Sequence, residues 1–261
     1  MFFLIASGLL VVAAIYGQRR YRGYGGFEED NPAPMPADAG EKTEWAFARL
    51  RYPNFRGGYR WRRSSWATDY PKADRQFVQG VRRLTRLHTR SVEQVVNIEG
   101  DEIYDWPWIY AVEVGHWGLD EEQARKLRDY LDRGGFLMVD DFHGTYEWEV
   151  FMESLRRVFP DRPVVDLESS EAIFHVIHDL DQRVQVPGIQ YLRSGRTYEQ
   201  DGIEPKWRGV FDEKGRLVVA ICHNMDLGDA WEWADYPAYP EKYASLAYRI
   251  GVNYIVYAMT H

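Results

Sequence analysis

The sequence predicts an α/β fold built on a mostly parallel, doubly wound sheet with a late antiparallel hairpin. Three observations predict it. Apolar strand-like runs alternate with amphipathic helical stripes from residue 45 onward, the pattern of strand–helix–strand crossovers. Residues 136–139 (FLMV) are continuously apolar, as a strand covered on both faces must be, and they run straight into Asp140-Asp141-Phe142-His143-Gly144. Residues 207–222 read as two β-rich arms joined by Asp212-Glu213-Lys214-Gly215, whose terminal glycine suits a type I turn followed by a bulge.

Taken in order, residues 2–16 are apolar and uncharged. That is short of the roughly 20 residues a spanning helix needs, and it suits the apolar region of a secretory signal, with Val12-Ala13-Ala14 as a cleavage site. No Lys or Arg precedes the run, and Arg19, Arg20 and Arg22 follow it, a flank that tends to stay cytoplasmic. Residues 1–22 are read as a signal peptide or membrane anchor of a protein that is exported, periplasmic or membrane-anchored. The cytoplasmic face of the membrane stays open as the alternative. Residues 23–43, rich in Gly, Pro, Glu, Asp and Ala, make a disordered linker, and residues 44–261 make one α/β domain.

Within that domain, residues 45–52 form a first strand that Pro53 closes. Arg56, Arg60, Arg62 and Arg63 follow in a loop and read as a solvated or ion-paired face. A helix starts at Asp69-Tyr70-Pro71, with Asp69 and Asp74 as acids favoured at its N-terminus and Phe77, Val81, Leu84 and His88 on one stripe. Strands are expected at 92–98 and 108–114, the second delivering His116 to its exit loop. Asp120 with Gln123 resembles a capping box, and Gly134 ends that helix in the left-handed position. After the central strand, Thr145 is expected to cap a helix over 146–158. A short strand over 163–167 follows. Residues 172–180 are ambiguous between strand and irregular, and residues 183–205 read as a long surface excursion. The final segment, 241–259, is apolar on nearly every side. Arg249, Gly251 and Asn253 make it a helix buried on the sheet rather than a membrane span, because charge is costly in lipid.

The net charge of −8 argues against a nucleic-acid partner, which would need a basic face. A single cysteine, Cys222, excludes an internal disulfide framework and a multi-cysteine zinc site. Ten Trp and eighteen Tyr are enough to fill a core with amphipathic rims, and they also suit a surface for sugars.

The stretches LRYPNF, DYPKADRQF, LRDYLDRGGFLMVDDFHG, GDAWEWADYPAYP and YRIGVNYIVYAMTH resemble the bacterial domain-of-unknown-function family 4159 over about residues 45–261. The resemblance implies a flavodoxin-like fold similar to the class I glutamine amidotransferases, in proteins that are often exported or attached to membrane-spanning segments. It implies no established activity. Amidotransferases carry a cysteine at a sharp strand-to-helix turn, and the matching turn here, Asp140 to Gly144, has neither Cys nor Ser. Glutamine hydrolysis therefore lacks its nucleophile.

Ligands of open α/β sheets bind outside the carboxyl ends of the strands, which points to two clusters, 140–144 and 222–235. Adjacent strand residues face opposite ways, so Asp141 looks into the cleft while Asp140 holds a loop or helix terminus. Asp141, His143, His223 and Asp226 are the candidate catalytic or metal-binding set, suited to Zn²⁺, Mn²⁺ or Fe²⁺ through N and O ligands. Asp226, Asp229, Trp231 and Trp233 are the candidate ligand-binding rim. The same residues also serve simply to order loops by hydrogen bonding. The primary functional expectation is a non-catalytic cell-envelope module that binds a protein or glycan. The alternative is a metal-dependent hydrolase of a glycan or ester. No cofactor is indicated beyond a candidate divalent metal, and a membrane is contacted through the N-terminal segment if that is uncleaved.

Overall fold

The computed structural model describes residues 35–55 and 64–261. Seven strands there form one sheet: β1 (Ala48–Arg51), β2 (Gln94–Asn97), β3 (Trp108–Val112), β4 (Phe136–Asp140), β5 (Val165–Asp166), β6 (Lys206–Phe211) and β7 (Leu217–His223). Their order across the sheet is β2-β1-β3-β4-β7-β6-β5. The first five in that order are parallel, and β6 runs antiparallel to both its neighbours. This is the α/β class the sequence predicts, with β4 at the centre and the hairpin β6–β7 at one side. Gly215 in the hairpin turn has φ +78°, and a register shift follows at Val210/Phe211.

The helices are α1 (Lys72–Leu84), α2 (Glu121–Asp132), α3 (Gly144–Val158), the short α4 (Tyr191–Ser194) and α5 (Leu227–Glu232), and α6 (Glu241–Thr260). Strand alternation sorts them onto two faces. Trp108, Tyr110, Phe136 and Met138 pack with Phe77 of α1, Trp231 of α5 and Ile250 and Tyr254 of α6. Ile109, Ala111, Leu137 and Val139 pack with Leu127 and Leu131 of α2 and Phe151 and Leu155 of α3. The central strands are therefore covered by apolar layers on both faces, which is why residues 136–139 carry no alternation.

The predicted capping box is present. Asp120 accepts from the amides of Glu122 at 3.0 Å and Gln123 at 2.9 Å, and the Gln123 side chain accepts from the Asp120 amide at 3.1 Å. Asp120→Ala is expected to cost about 1 kcal/mol and lower the melting temperature by about 2–4 °C, read by calorimetry. The buried α6 solves the problem of Asn253 in an apolar environment: its side chain accepts from the His178 amide at 2.9 Å and donates to the His178 carbonyl at 2.8 Å. Among the described residues no helix is long and apolar enough to cross a membrane.

Several expectations are corrected. Helix α1 ends at Leu84, so His88 leaves the stripe and pairs with Glu41 at 3.0 Å on the surface. Asp74 does lie in the first turn of α1 as expected, and there it is fully buried against Arg49. Thr145 does not cap α3, which begins one residue earlier, and its hydroxyl instead donates to Asp201 at 2.6 Å. Residues 172–180 are a short 3-10 turn and irregular chain. The segment 183–205 is not wholly a surface excursion: residues 185–188 are buried, and Gln185 donates to the carbonyls of Gly202 at 2.8 Å and Asn224 at 2.9 Å. The N-terminal signal or anchor segment, most of the linker, and Arg56, Arg60, Arg62 and Arg63 lie outside the described residues.

Candidate functional site

β4 ends in two acids that part ways. Asp140 stays in the pleat, and its Oδ2 accepts from Tyr110 Oη at 3.0 Å and from the amides of Leu227 at 2.8 Å and Gly228 at 3.0 Å. It thereby seats the first turn of α5. Burial pushes its pKa up to about 7 against the pull of these donors. Asp141 breaks from the strand with φ +53°, which turns its side chain to the carboxyl end of the sheet. Asp69 (φ +60°), Glu113 (φ +54°) and Asn224 (φ +64°) adopt the same left-handed conformation. Such non-glycine residues cost free energy and concentrate at functional sites.

Asp69, Asp141 and Asp226 converge from three separate segments. One carboxylate oxygen from each lies within 4.8 Å of the others. Asp69 is placed by the chain before it: Arg49 Nη1 donates to the carbonyls of Trp66 at 3.1 Å and Thr68 at 2.9 Å. Asp226 is the N-cap of α5, where its Oδ1 accepts from the Asp229 amide at 2.7 Å, and its own amide donates to Val186 O at 2.9 Å. Asp69 Oδ2 is buried and has no hydrogen-bond partner among the described residues. Gly228 permits this closeness, since a Cβ there would lie 2.6 Å from that same oxygen.

The electrostatics are one-sided. Burial drives the pKa of all three well above the carboxylate range. Asp229 and Glu232 add to this at Asp69, Glu113 at Asp141, and Asp141 and Asp229 at Asp226. Arg49 pulls the Asp69 value down, but its guanidinium is engaged with Asp74. Among the described residues no Lys or Arg forms an ion pair with any of the three. A second carboxylate group, Asp69, Asp229 and Glu232, shares Asp69.

The two histidines differ in their relation to this cluster: His143 touches Asp141, and His223 stands apart. His143 is the N-cap of α3; its Nε2 lies 3.2 Å from Asp141 Oδ1, and its Nδ1 has no partner among the described residues. Burial holds the imidazole neutral, with its pKa down to about 3. His223 packs against both Phe142 and Trp148, each 4.8 Å away, and its Nε2 reaches Gly144 O at 3.2 Å. Burial lowers its pKa to about 4. The set Asp141, His143, His223 and Asp226 is thus not gathered into one shell; the groups within ligand distance are all carboxylates. Of the rim residues, Trp231 is fully buried in the core, 4.4 Å from Phe77, where a soluble ligand has no access. Asp229 is spent on structure, accepting from Ile189 N at 2.6 Å and Trp233 Nε1 at 3.0 Å. Trp233 is half-buried with the Lys72 ammonium 4.6 Å above its ring. His116 lies 3.1 Å from Glu113 and 3.6 Å from Glu147.

The α3 N-terminus is filled by the chain itself. The Gly144 amide donates to Asn224 at 2.8 Å, and the Thr145 amide donates to Asp201 at 2.9 Å. Cys222 is buried on the α6 face of the sheet, where burial raises its thiol pKa.

Residues 46–259 match DUF4159, a domain of unknown function. The chain belongs to this family. No curated protein matches it. The whole carboxylate cluster lies within the span matched by DUF4159. Sequence reasoning missed Asp69, whose position before a helix is a routine place for an acid. Its left-handed backbone and its pinning by Arg49 are tertiary facts. It also missed the 185–188 strap, whose only signal is the short apolar stretch around Val186-Pro187-Gly188.

Proposed function

We propose that this chain is a non-catalytic cell-envelope binding module that holds its ligand through a divalent cation seated on Asp69, Asp141 and Asp226. One observation carries the reading: three buried carboxylates converge from separate segments, and one of their oxygens, Asp69 Oδ2, has no hydrogen-bond partner among the described residues. Such a group is costly unless protonated or bound to a cation. The all-oxygen donor set suits a hard ion. Ca²⁺ takes oxygens at about 2.3–2.6 Å, so two ligands on one ion can stand up to about 5 Å apart, which accommodates this cluster. Oxygen-rich partners, a glycan or an acidic protein face, would complete the coordination.

The sheet order β2-β1-β3-β4, with β7 in the next parallel position, supports a flavodoxin-like, amidotransferase-like fold. The plugged α3 N-terminus and the buried thiol of Cys222 favour binding over acyl transfer. The uncharged run 2–16 supports placement in the envelope. A metal-dependent hydrolase of a glycan or ester is the second reading, drawn from the 3.2 Å contact between His143 and Asp141, since a neutral imidazole beside a bound cation can accept a proton from water.

Isothermal titration of chelator-stripped full chain with Ca²⁺, Mg²⁺ and Mn²⁺ tests both. The expected result is one saturable site that Asp226→Asn and Asp69→Asn each abolish and His223→Ala retains. Absence of any saturable heat would refute the cation site. Cation-dependent hydrolysis of a nitrophenyl ester or glycoside, lost in His143→Ala, would replace the binding module with the hydrolase.

A further inference from the structure

We infer that one edge of the domain, where the end of α1 meets α6, docks on an anionic lipid surface. A groove of about 580 Å³ there is lined by Arg83, Leu84, Arg86, Leu87, Ile177 and Val256. Leu84 and Ile177 are each 52% exposed, though the fold could have placed polar residues at both. Arg82, Arg83 and Arg86 stand exposed around them. Arg82 pairs with Asp38 at 3.3 Å, whereas Arg83 and Arg86 have no ion pair among the described residues. Arg249 of α6 is also exposed, and burial first and then the Arg249 charge lower the pKa of His178, the neighbour of Ile177. The groove lining itself holds two arginines and no acid, in a chain of net charge −8.

Exposed aliphatic side chains ringed by arginines match the boundary between acyl chains and anionic headgroups. An acidic protein would match the charge as well. The place where the chain enters the domain decides for lipid. The Ser91 amide donates to Asp38 at 3.0 Å and His88 holds Glu41 at 3.0 Å, so the first described residues lie beside the end of α1. In the sequence, the residues ahead of Met35 include the uncharged apolar run 2–16 followed by Arg19, Arg20 and Arg22.

The test is co-sedimentation of the full chain with phosphatidylcholine vesicles, with and without roughly a third phosphatidylglycerol, at low salt and at about 0.5 M salt. The quantity read is the ratio of binding to anionic over neutral vesicles, because the apolar run contributes to both. Wild type is expected to favour anionic vesicles at low salt and lose the preference at high salt. Arg83→Glu with Arg86→Glu should cut the ratio at least about tenfold. Leu84→Ser with Ile177→Ser should weaken binding to both vesicle types. An equal charge change elsewhere, Arg193→Glu with Lys214→Glu, should leave the ratio near wild type. A wild-type ratio of one, or a ratio that responds equally to both charge-reversal pairs, overturns the proposal. So does a shift from dimer to monomer on Leu84→Ser with Ile177→Ser, which would give the groove to a second copy. Faster proteolysis of residues 2–16 in that variant without vesicles, with the ratio intact, would give it to the chain's own apolar run.

Discussion

Asp141→Asn is expected to raise the melting temperature of chelator-treated protein and to abolish the further rise that Ca²⁺ gives the native chain. In the cation-free state Asp141 is buried beside Asp69 and Asp140, so its charge is unfavourable and a neutral amide of the same shape relieves it. In the cation-bound state the same substitution removes a ligand. A ligand that binds only the folded state at about 100 times its dissociation constant adds about 2.7 kcal/mol. For a domain of this size that is a rise of about 5–11 °C. The substitution therefore changes sign with the cation, an outcome that a purely structural role for Asp141 does not produce. Equal shifts in chelator and in Ca²⁺ would remove Asp141 from the site.

The pH dependence follows from the same groups. A carboxyl whose folded pKa is raised contributes stability that is complete below its unfolded value and is lost as pH climbs to the folded one. For Asp140 and Glu232 that interval runs from about 4 up to about 7, and Asp69, Asp141 and Asp226 are raised in the same direction. His143 and His223 act oppositely. Their folded values of about 3 and about 4 lie below the unfolded one, so their contribution is present at neutral pH and lost on acidification. Between pH 5 and 7 the raised carboxyls outnumber the lowered imidazoles, and the cation-free protein should lose stability as pH rises. Ca²⁺ should flatten or invert that slope by replacing the protons on three of the acids. Melting curves across this range with and without Ca²⁺ read both slopes.

Arg49→Ala is expected to cost about 3–5 kcal/mol and to lower the melting temperature by about 6–20 °C. Arg49 and Asp74 are both fully buried; the guanidinium Nε donates to Asp74 Oδ2 at 2.8 Å and Nη1 to two backbone carbonyls. Removing it strands a buried carboxylate and orphans the carbonyls of Trp66 and Thr68. Asp74 already sits at about 6 with Arg49 present, because burial outweighs the guanidinium. Without the guanidinium it should fold protonated, so the loss should be smaller at pH 5 than at pH 8. Adding Asp74→Asn to Arg49→Ala should recover part of the loss, and the double-mutant cycle gives the coupling. Since Asp69 directly follows the pinned carbonyl of Thr68, Arg49→Ala should also weaken Ca²⁺ binding. A loss under about 1 kcal/mol, unchanged by pH, would contradict this account of the pair.

The sequence by itself determined the α/β class of the fold and that acids and histidines stand at the ends of β4 and β7. Continuous apolarity at 136–139, the Asp120/Gln123 cap, Gly134, and Gly215 in the hairpin turn act through local rules, and local rules are legible one segment at a time. The divergence of Asp140 and Asp141 was expected from the pleat, but the left-handed backbone of Asp141, φ +53°, produces it. What stands beside Asp141 was decided only in three dimensions. The sequence offered His143 and His223 as partners because imidazoles near strand ends look like ligands. His143 does reach Asp141 at 3.2 Å, but packing of His223 against Phe142 and Trp148 faces it toward Gly144, and Arg49 draws in a segment that adds Asp69. Trp231 looked like a rim residue because periodicity does not say which face of a six-residue helix meets the sheet, and its contact with Phe77 settles that. Long-range convergence depends on the relative placement of segments far apart in the chain, and no local pattern around Asp69 encodes it.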